Sequence, residues 1–279
     1  MTISIGIKVN DGLVIASDSA LTLAGGTSVS NVYMNGTKIM NLHKDLPIGV
    51  AFWGLASLGG HNFAFWLKEL RLRLEGKSLS HQSWEVDNSN YSILEIAKKV
   101  SEYFQEVINS QRNLYPDLVL QDFGLLIAGF STGSLVPETY VVPHNLNTIH
   151  NPYDPISGGT GCFWHGHPEL INRILNGYSA NLAQALINLK VDPADVAAYT
   201  HAIAAQTQVP LIQPDMPIQD AIDLATFLAD ATVNFTKFAP GANVVDGPID
   251  IATITRHEGF KWVRRKLYYP LELNRGHHE

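Results

Sequence analysis

Apolar residues recur along this chain with two different periods, and the switches between them mark its elements. Ile3, Ile5, Ile7 and Val9 are spaced by two, the period of a strand. Asn10-Asp11-Gly12 is a tight-turn signal, because Asp and Gly tolerate positive φ, and the apolar run from Leu13 to Ala16 follows it. The pair reads as a hairpin that carries Asp18 back beside Thr2. Residues 20–31 read as an irregular loop around Gly25-Gly26. Asn35-Gly36 is a second turn signal, Lys38-Ile39-Met40 enters a strand, and residues 48–56 form a buried strand ending at a glycine.

The period then changes to that of a helix. Over residues 61–75, Phe63, Trp66, Leu67, Leu70 and Leu74 form a stripe opposed by Lys68, Glu69, Arg71 and Arg73. Residues 80–90 are loop, and residues 92–109 place Ile93, Ile96, Val100, Phe104 and Ile108 on one face of a second helix. Residues 123–130 are an apolar strand, Ser131 to Ser134 turn the chain, and residues 138–142 return antiparallel. After a Gly-rich stretch at 156–168, Pro168 opens a helix running to 178. Residues 181–217 are extra helical material, with Asp192-Pro193 as a helix start and Pro210, Pro214 and Pro217 as breaks. A last long helix covers 218–235, and strands at 246–254 and 260–269 flank a turn at His257-Glu258-Gly259. This order is α+β, and the linear pattern permits several arrangements of that class.

At 279 residues the chain is long enough for one large domain or two small ones. Charged residues are only 16% of it against 46% hydrophobic, which fits either a large core or buried subunit contacts. The net charge of -7 argues against a nucleic-acid surface, and Lys261, Arg264, Arg265 and Lys266 read as a solvated strand edge. Cys162 is the sole cysteine, which excludes an internal disulfide and a multi-cysteine metal site. His165 and His167 lack a third ligand in reach, so no metal is expected. The glycines of 156–168 do not have nucleotide-binding spacing, so no cofactor is expected. There is no signal-peptide pattern and no apolar run of membrane-span length, and the expected location is cytoplasmic.

The chemistry collects at the start of the chain. Met1 precedes a small residue and is expected to be removed, leaving Thr2 with a free α-amine of pKa about 7.7–8.0, able to act as a general base beside its own hydroxyl. Taken singly, Thr2 is also just a small second residue, and Lys38 a lysine beside a turn.

Taken together, Thr2 to Ser19 and Asn35-Gly36-Thr37-Lys38 resemble the start of a mature proteasome β-type subunit, an N-terminal-nucleophile (Ntn) hydrolase, and most of all the bacterial proteasome-like proteins of ancestral β-subunit type. The resemblance spans about residues 2–178 and 218–268. It implies a four-layer αββα sandwich, two antiparallel sheets covered by helices, as a single domain over 2–270 with 181–217 inserted and 271–279 a disordered tail. It implies Thr2 as nucleophile, Lys38 as the active-site lysine, Asp18 as its partner and Gly54 as an oxyanion donor, although Trp53 stands where alanine is usual. Gly159-Thr160-Gly161 matches a Gly-Ser-Gly turn whose hydroxyl meets the terminal amine. Asp230 matches an aspartate that orients that amine, with Val233 where a serine belongs. The implied function is a threonine endopeptidase working as a ring or helical homo-oligomer on peptide or unfolded protein, with an ATPase as a further partner. An inactive scaffold subunit and a small-molecule amidase are the alternatives.

Overall fold

A computed structural model of the chain describes residues 2–25, 28–79, 81, 84–116, 118, 120–145, 148–240 and 245–266. Met1 and the expected 271–279 tail lie outside the described residues. Strands β1 (Ile3–Val9) and β2 (Gly12–Ser17) form the opening hairpin. Their register pairs Val9 with Gly12 and Ser4 with Ser17. Residues 20–31, expected as loop, hold a second hairpin, β3 (Leu21–Gly25) and β4 (Ser28–Tyr33). The alternation Leu21-Thr22-Leu23 was a strand signal that the nearby glycines masked. β5 (Ile39–Asn41), β6 (Ile48–Trp53), and the short pair β7 (Ser57–Leu58) and β8 (His61–Asn62) follow.

Helix α1 (Phe63–Leu74) starts where the Asn62 side chain accepts the Phe65 N–H at 2.9 Å, and α2 (Ile93–Leu114) where the Ser92 hydroxyl accepts the Glu95 N–H at 3.2 Å. Each satisfies one of the backbone donors that a helix start leaves unpaired. Strands β9 (Phe123–Gly129), β10 (Glu138–Asn145), β11 (Thr148–Ile149) and β12 (Gly161–Gly166) come next. The expected helix after Pro168 is short: α3 (Glu169–Ile171) runs into a π turn at Asn172–Asn176 that ends at left-handed Gly177. In the 181–217 segment lie α4 (Leu182–Asn188) and α5 (Val196–Thr207). The second opens three residues beyond Pro193, with Asp195 at the cap position, so Asp192-Pro193 belongs to the preceding turn. The last elements are α6 (Ile218–Phe238), β13 (Asp250–Thr255) and β14 (Gly259–Arg264).

The fold is mixed α+β. One five-stranded sheet has the order β12-β1-β2-β13-β14 and the other β11-β10-β9-β6-β5. Every pairing in both is antiparallel. Leu13, Ile15 and Ile254 of the first sheet share a buried cluster with Ile39, Leu126 and Val141 of the second. A second cluster joins Phe52 and Leu125 to Leu70 of α1 and Phe104 of α2. A third joins Ile3, Ile5 and Ile7 to Leu228 and Ala229 of α6. With apolar neighbours on both faces, β1 is buried throughout: Ser4 and Lys8 are as sheltered as the isoleucines between them. By contrast α4 buries none of its residues, and Val196 is the one buried residue of α5. Among the described residues no helix is long and apolar enough to cross a membrane.

Candidate active site

The hairpin register decides the first contact. Because Ser4 lies opposite Ser17, Asp18 arrives beside Ile3, whose N–H donates to Asp18 Oδ1 at 3.1 Å while the Asp18 N–H donates to the Ile3 carbonyl at 3.3 Å. Lys38 comes from the loop before β5. That loop is tied down by the Gly36 N–H on the Ser19 carbonyl at 2.8 Å and the Phe52 N–H on the Lys38 carbonyl at 3.1 Å. Lys38 Nζ then donates to Thr2 Oγ1 and to Asp18 Oδ1, both at 2.7 Å. All three residues are buried, Lys38 at 1% exposure.

A buried ion pair stands only if its remaining hydrogen-bonding capacity is filled. Asp18 fills it with backbone donors: Oδ2 accepts the Ala20 N–H at 3.1 Å and the Asp246 N–H at 3.3 Å. Burial pushes the Asp18 carboxyl up and the Lys38 ammonium down from their ordinary values, and in each case the partner's opposite charge resists the shift. The result is a lysine nitrogen in a low-dielectric pocket, 2.7 Å from a threonine hydroxyl. That arrangement favours loss of the hydroxyl proton, since charge acts more strongly where water is absent.

Thr2 opens on a cleft of about 430 Å³ that Trp53, Gly54, Phe123, His144, His165 and Gly166 also line. Gly54 sits at φ +90, and a β-carbon there would lie 2.2 Å from the Asp122 carbonyl oxygen, so close packing and backbone conformation both require glycine. Gly166 sits at φ +99, and a β-carbon on it would overlap the Thr2 carbonyl at 1.7 Å. The next residue, His167, donates its N–H to that same carbonyl at 2.9 Å. Trp53 stacks flat on His165, with ring centroids 4.0 Å apart and planes 3° apart. His165 Nε2 is buried with no partner, and burial lowers the ring's pKa to about 4. His144, stacked on Phe123 at 4.5 Å, has both ring nitrogens buried and unpartnered, and its pKa is also lowered by burial.

The geometry thus brings Thr2, Asp18 and Lys38 together and places Gly54 in the same cleft, but it does not bring Thr160 or Asp230 there. β12 runs antiparallel to β1 with Ile3 opposite Gly166 and Lys8 opposite Gly161. Thr160 therefore stands beyond the far end of the strand, about 20 Å along it from Gly166 at about 3.4 Å per residue. It lines a different cavity with Cys162, Trp164 and Leu175. The turn that reaches Thr2 is Gly166-His167-Pro168, directly before α3, and the upstream Gly-rich run was the misleading signal. Asp230 is half-exposed, 3.7 Å from Arg264 Nη1. It lies off the α6 stripe of Leu228, Ala229, Thr232 and Val233 that faces β1. The Thr232 hydroxyl is spent on the Leu228 carbonyl of its own helix, at 2.7 Å.

No protein-family model matches this chain, and no curated protein matches it by sequence. Solved structures do match. The Anbu complex from Pseudomonas aeruginosa, a helical assembly, superposes over 96% of this chain and 88% of its own, with TM-score 0.54 and 15% identity. Anbu (ancestral beta-subunit) from Yersinia bercovieri superposes over 96% and 89%, with TM-score 0.52 and 15% identity. What is shared is the fold. The family resemblance drawn from the sequence is corrected accordingly: with no matching family model and 15% identity to these neighbours, the likeness is to the Anbu fold and does not carry family membership.

Sequence reasoning missed a second polar group behind the first. Lys266, grouped above with a solvated basic edge, has a side chain only 10% exposed and is paired with Asp250, whose side chain is 3% exposed. Lys266 Nζ also donates to Ser19 Oγ at 2.7 Å, next to Asp18 in the chain. The readable signal was Asp250 itself, the one charged residue of its strand. Burial also pushes the Cys162 thiol up to about 12, so it is protonated at neutral pH and is not a ready nucleophile.

Proposed function

We propose that this protein is a threonine-type N-terminal-nucleophile amidohydrolase acting on peptides, folded as a single four-layer αββα domain over about residues 2–270. The observation that carries the reading is Lys38 Nζ at 2.7 Å from both Thr2 Oγ1 and Asp18 Oδ1, buried at the end of a cleft. The three apolar clusters, one between the sheets and one on the outer face of each, support the layer order. The solved Anbu proteins support it at the level of fold.

The reaction requires that Met1 be removed. The freed Thr2 α-amine, with an ordinary pKa of about 7.7–8.0, accepts the Oγ1 proton directly or through a water as Oγ1 attacks the substrate carbonyl carbon. The Lys38 ammonium stabilises negative charge on Oγ1, and Asp18 holds that ammonium in place. The Gly54 N–H faces the oxyanion, a contact of the kind worth about 3 kcal/mol in a transition state. As the tetrahedral intermediate collapses, the carbon–nitrogen bond breaks and the α-ammonium gives its proton to the departing nitrogen. Water then attacks the acyl-threonine ester, the α-amine takes the water's proton, and collapse returns it to Oγ1 with release of the acid. We place the active sites in a homo-oligomer well above a dimer, as the helical assembly of the Pseudomonas aeruginosa Anbu complex suggests. Light scattering that returned the 30.7 kDa chain mass would remove that part of the reading.

The test of the chemistry is mass spectrometry after incubation with a peptide epoxyketone or β-lactone. An adduct on Thr2, lost in Thr2→Ala, is the expected result. Peptidase activity at full level in purified Thr2→Ala would overturn the mechanism. A correctly processed oligomer that takes no warhead would make the chain a scaffold subunit instead.

A further inference from the structure

Behind the Thr2–Lys38–Asp18 group the chain has built a second buried ion pair, and the two share a support. Lys266 follows β14, and its ammonium meets Asp250 Oδ2 while its backbone N–H donates to Asp250 Oδ1 at 3.0 Å. The same ammonium donates to Ser19 Oγ at 2.7 Å, and the Ser19 hydroxyl in turn donates to the Pro248 carbonyl at 2.5 Å. Ser19 is the junction. Its N–H donates to the Asp246 carbonyl at 3.1 Å, and its carbonyl accepts the N–H of Gly36, two residues before Lys38. The Asp246 N–H in turn reaches Asp18 Oδ2. Lys266 therefore fixes the segment that supplies hydrogen bonds to Asp18 and the loop that supplies Lys38.

We propose that Lys266, clamped by Asp250 and Ser19, is a positioning residue for the reaction: a largely sheltered cation, supplied from beyond the end of β14, that holds the Asp18–Lys38 pair in its working geometry. This rests on the amidohydrolase reading above. Asp250 sits at the start of β13 directly opposite Ser17, so the β2–β13 pairing brings its carboxylate within electrostatic range of Lys38. The titratable and charged groups about Lys38 are then the freed α-amine of Thr2 before β1, Asp18 at the end of β2, Asp250 on β13 and Lys266 after β14, with Asp246 of the loop before β13 reaching Asp18 through its backbone N–H. Lys266 and Asp250 act on Lys38 with opposite sign. A close and sheltered pair of this kind is hard to replace by a solvated surface charge, because water does not screen it.

Opposite sign makes the test sharp. Lys266→Met leaves Asp250 uncompensated, so Lys38 should hold its proton to higher pH. Asp250→Asn leaves Lys266 uncompensated, so Lys38 should lose its proton at lower pH. Each displacement should be on the order of one pH unit. The readout is the titration midpoint of Lys38 in protein with 13C-labelled lysine, its signal assigned by its loss in Lys38→Met, together with the alkaline limb of Thr2 acylation by a β-lactone. Lys266→Arg should keep the midpoint, and Lys266→Met/Asp250→Asn should return it to the wild-type position while avoiding an unpaired buried charge. Movement of the two single variants in the same direction, or of neither, overturns the proposal. If either single variant does not fold, the comparison of the neutral double variant with Lys266→Arg decides: a midpoint in the double variant that departs from wild type by more than the Arg variant's overturns the proposed balance of charges. Midpoints that move as expected in a protein whose wild-type Thr2 never acylates would sink the amidohydrolase reading and leave the electrostatic coupling standing.

Discussion

Lowering the pH should cost this protein stability through His165, and the amount follows from its surroundings. The ring lies flat against Trp53 with Nε2 buried and unpartnered, so a proton there would bring a charge into an apolar stack. Its folded-state pKa is about 4 against an ordinary value of 6.5. Above pH 7 the ring is neutral in both states and contributes nothing to the pH dependence. As the pH falls through 6.5 the unfolded chain binds a proton that the folded chain refuses until about pH 4, so stability falls across that window by about 1.4 kcal/mol per pH unit. The loss reaches about 2.5 kcal/mol by pH 4.5. His165→Phe keeps an aromatic ring on Trp53 and has nothing to protonate. Urea unfolding followed by far-ultraviolet circular dichroism at pH 7.0, 5.5 and 4.5 should show the variant gaining on wild type by that amount between the ends of the range. His144 and the carboxylates titrate in both proteins and cancel in the difference. A difference that stays constant with pH, or a His165 resonance titrating near 6.5, would refute the reasoning.

Three further outcomes are expected. Lys38→Met should abolish Thr2 acylation and destabilise the fold by about 3–5 kcal/mol, because Asp18 is left buried without its cation; Lys38→Met/Asp18→Leu should recover part of the stability in urea melts and none of the acylation. Gly54→Ala should cost about 2 kcal/mol or more in thermal unfolding, since its β-carbon meets the Asp122 carbonyl oxygen at 2.2 Å and φ is +90. Ser92→Ala should cost about 1 kcal/mol by removing the acceptor for the Glu95 N–H, and Ser92→Asp should keep most of it.

Some of this protein could be read directly from its residues. The spacing of Ile3 to Val9, the Asn10-Asp11-Gly12 turn and the stripes of α1, α2 and α6 depend on short-range rules: turn chemistry, helix period and strand period. The closeness of Thr2 and Asp18 was readable for the same reason, since a hairpin with a tight turn has only one workable register. Lys38 needed the resemblance, because nothing local says that a loop 36 residues from Thr2 must end on its hydroxyl.

The rest was decided by contacts between distant parts of the chain. Which end of 156–168 meets Thr2 is set by the pairing of β12 with β1, and that pairing puts Gly166 and His167 there and Thr160 at the other end. Asp230 follows the rotation of α6, which turns it toward Arg264 while Leu228 and Ala229 enter the core. Lys266 looked like one more charge on a basic edge. Only the β13–β14 hairpin, shifted in register between Ile251 and Ala252, and the pairing of β13 with β2 carry it onto Asp250 and Ser19. A charge in a sequence has no burial of its own. Burial is conferred by whatever the sheet order places on either side, and here that order turned an edge lysine into the inner neighbour of the Asp18–Lys38 pair.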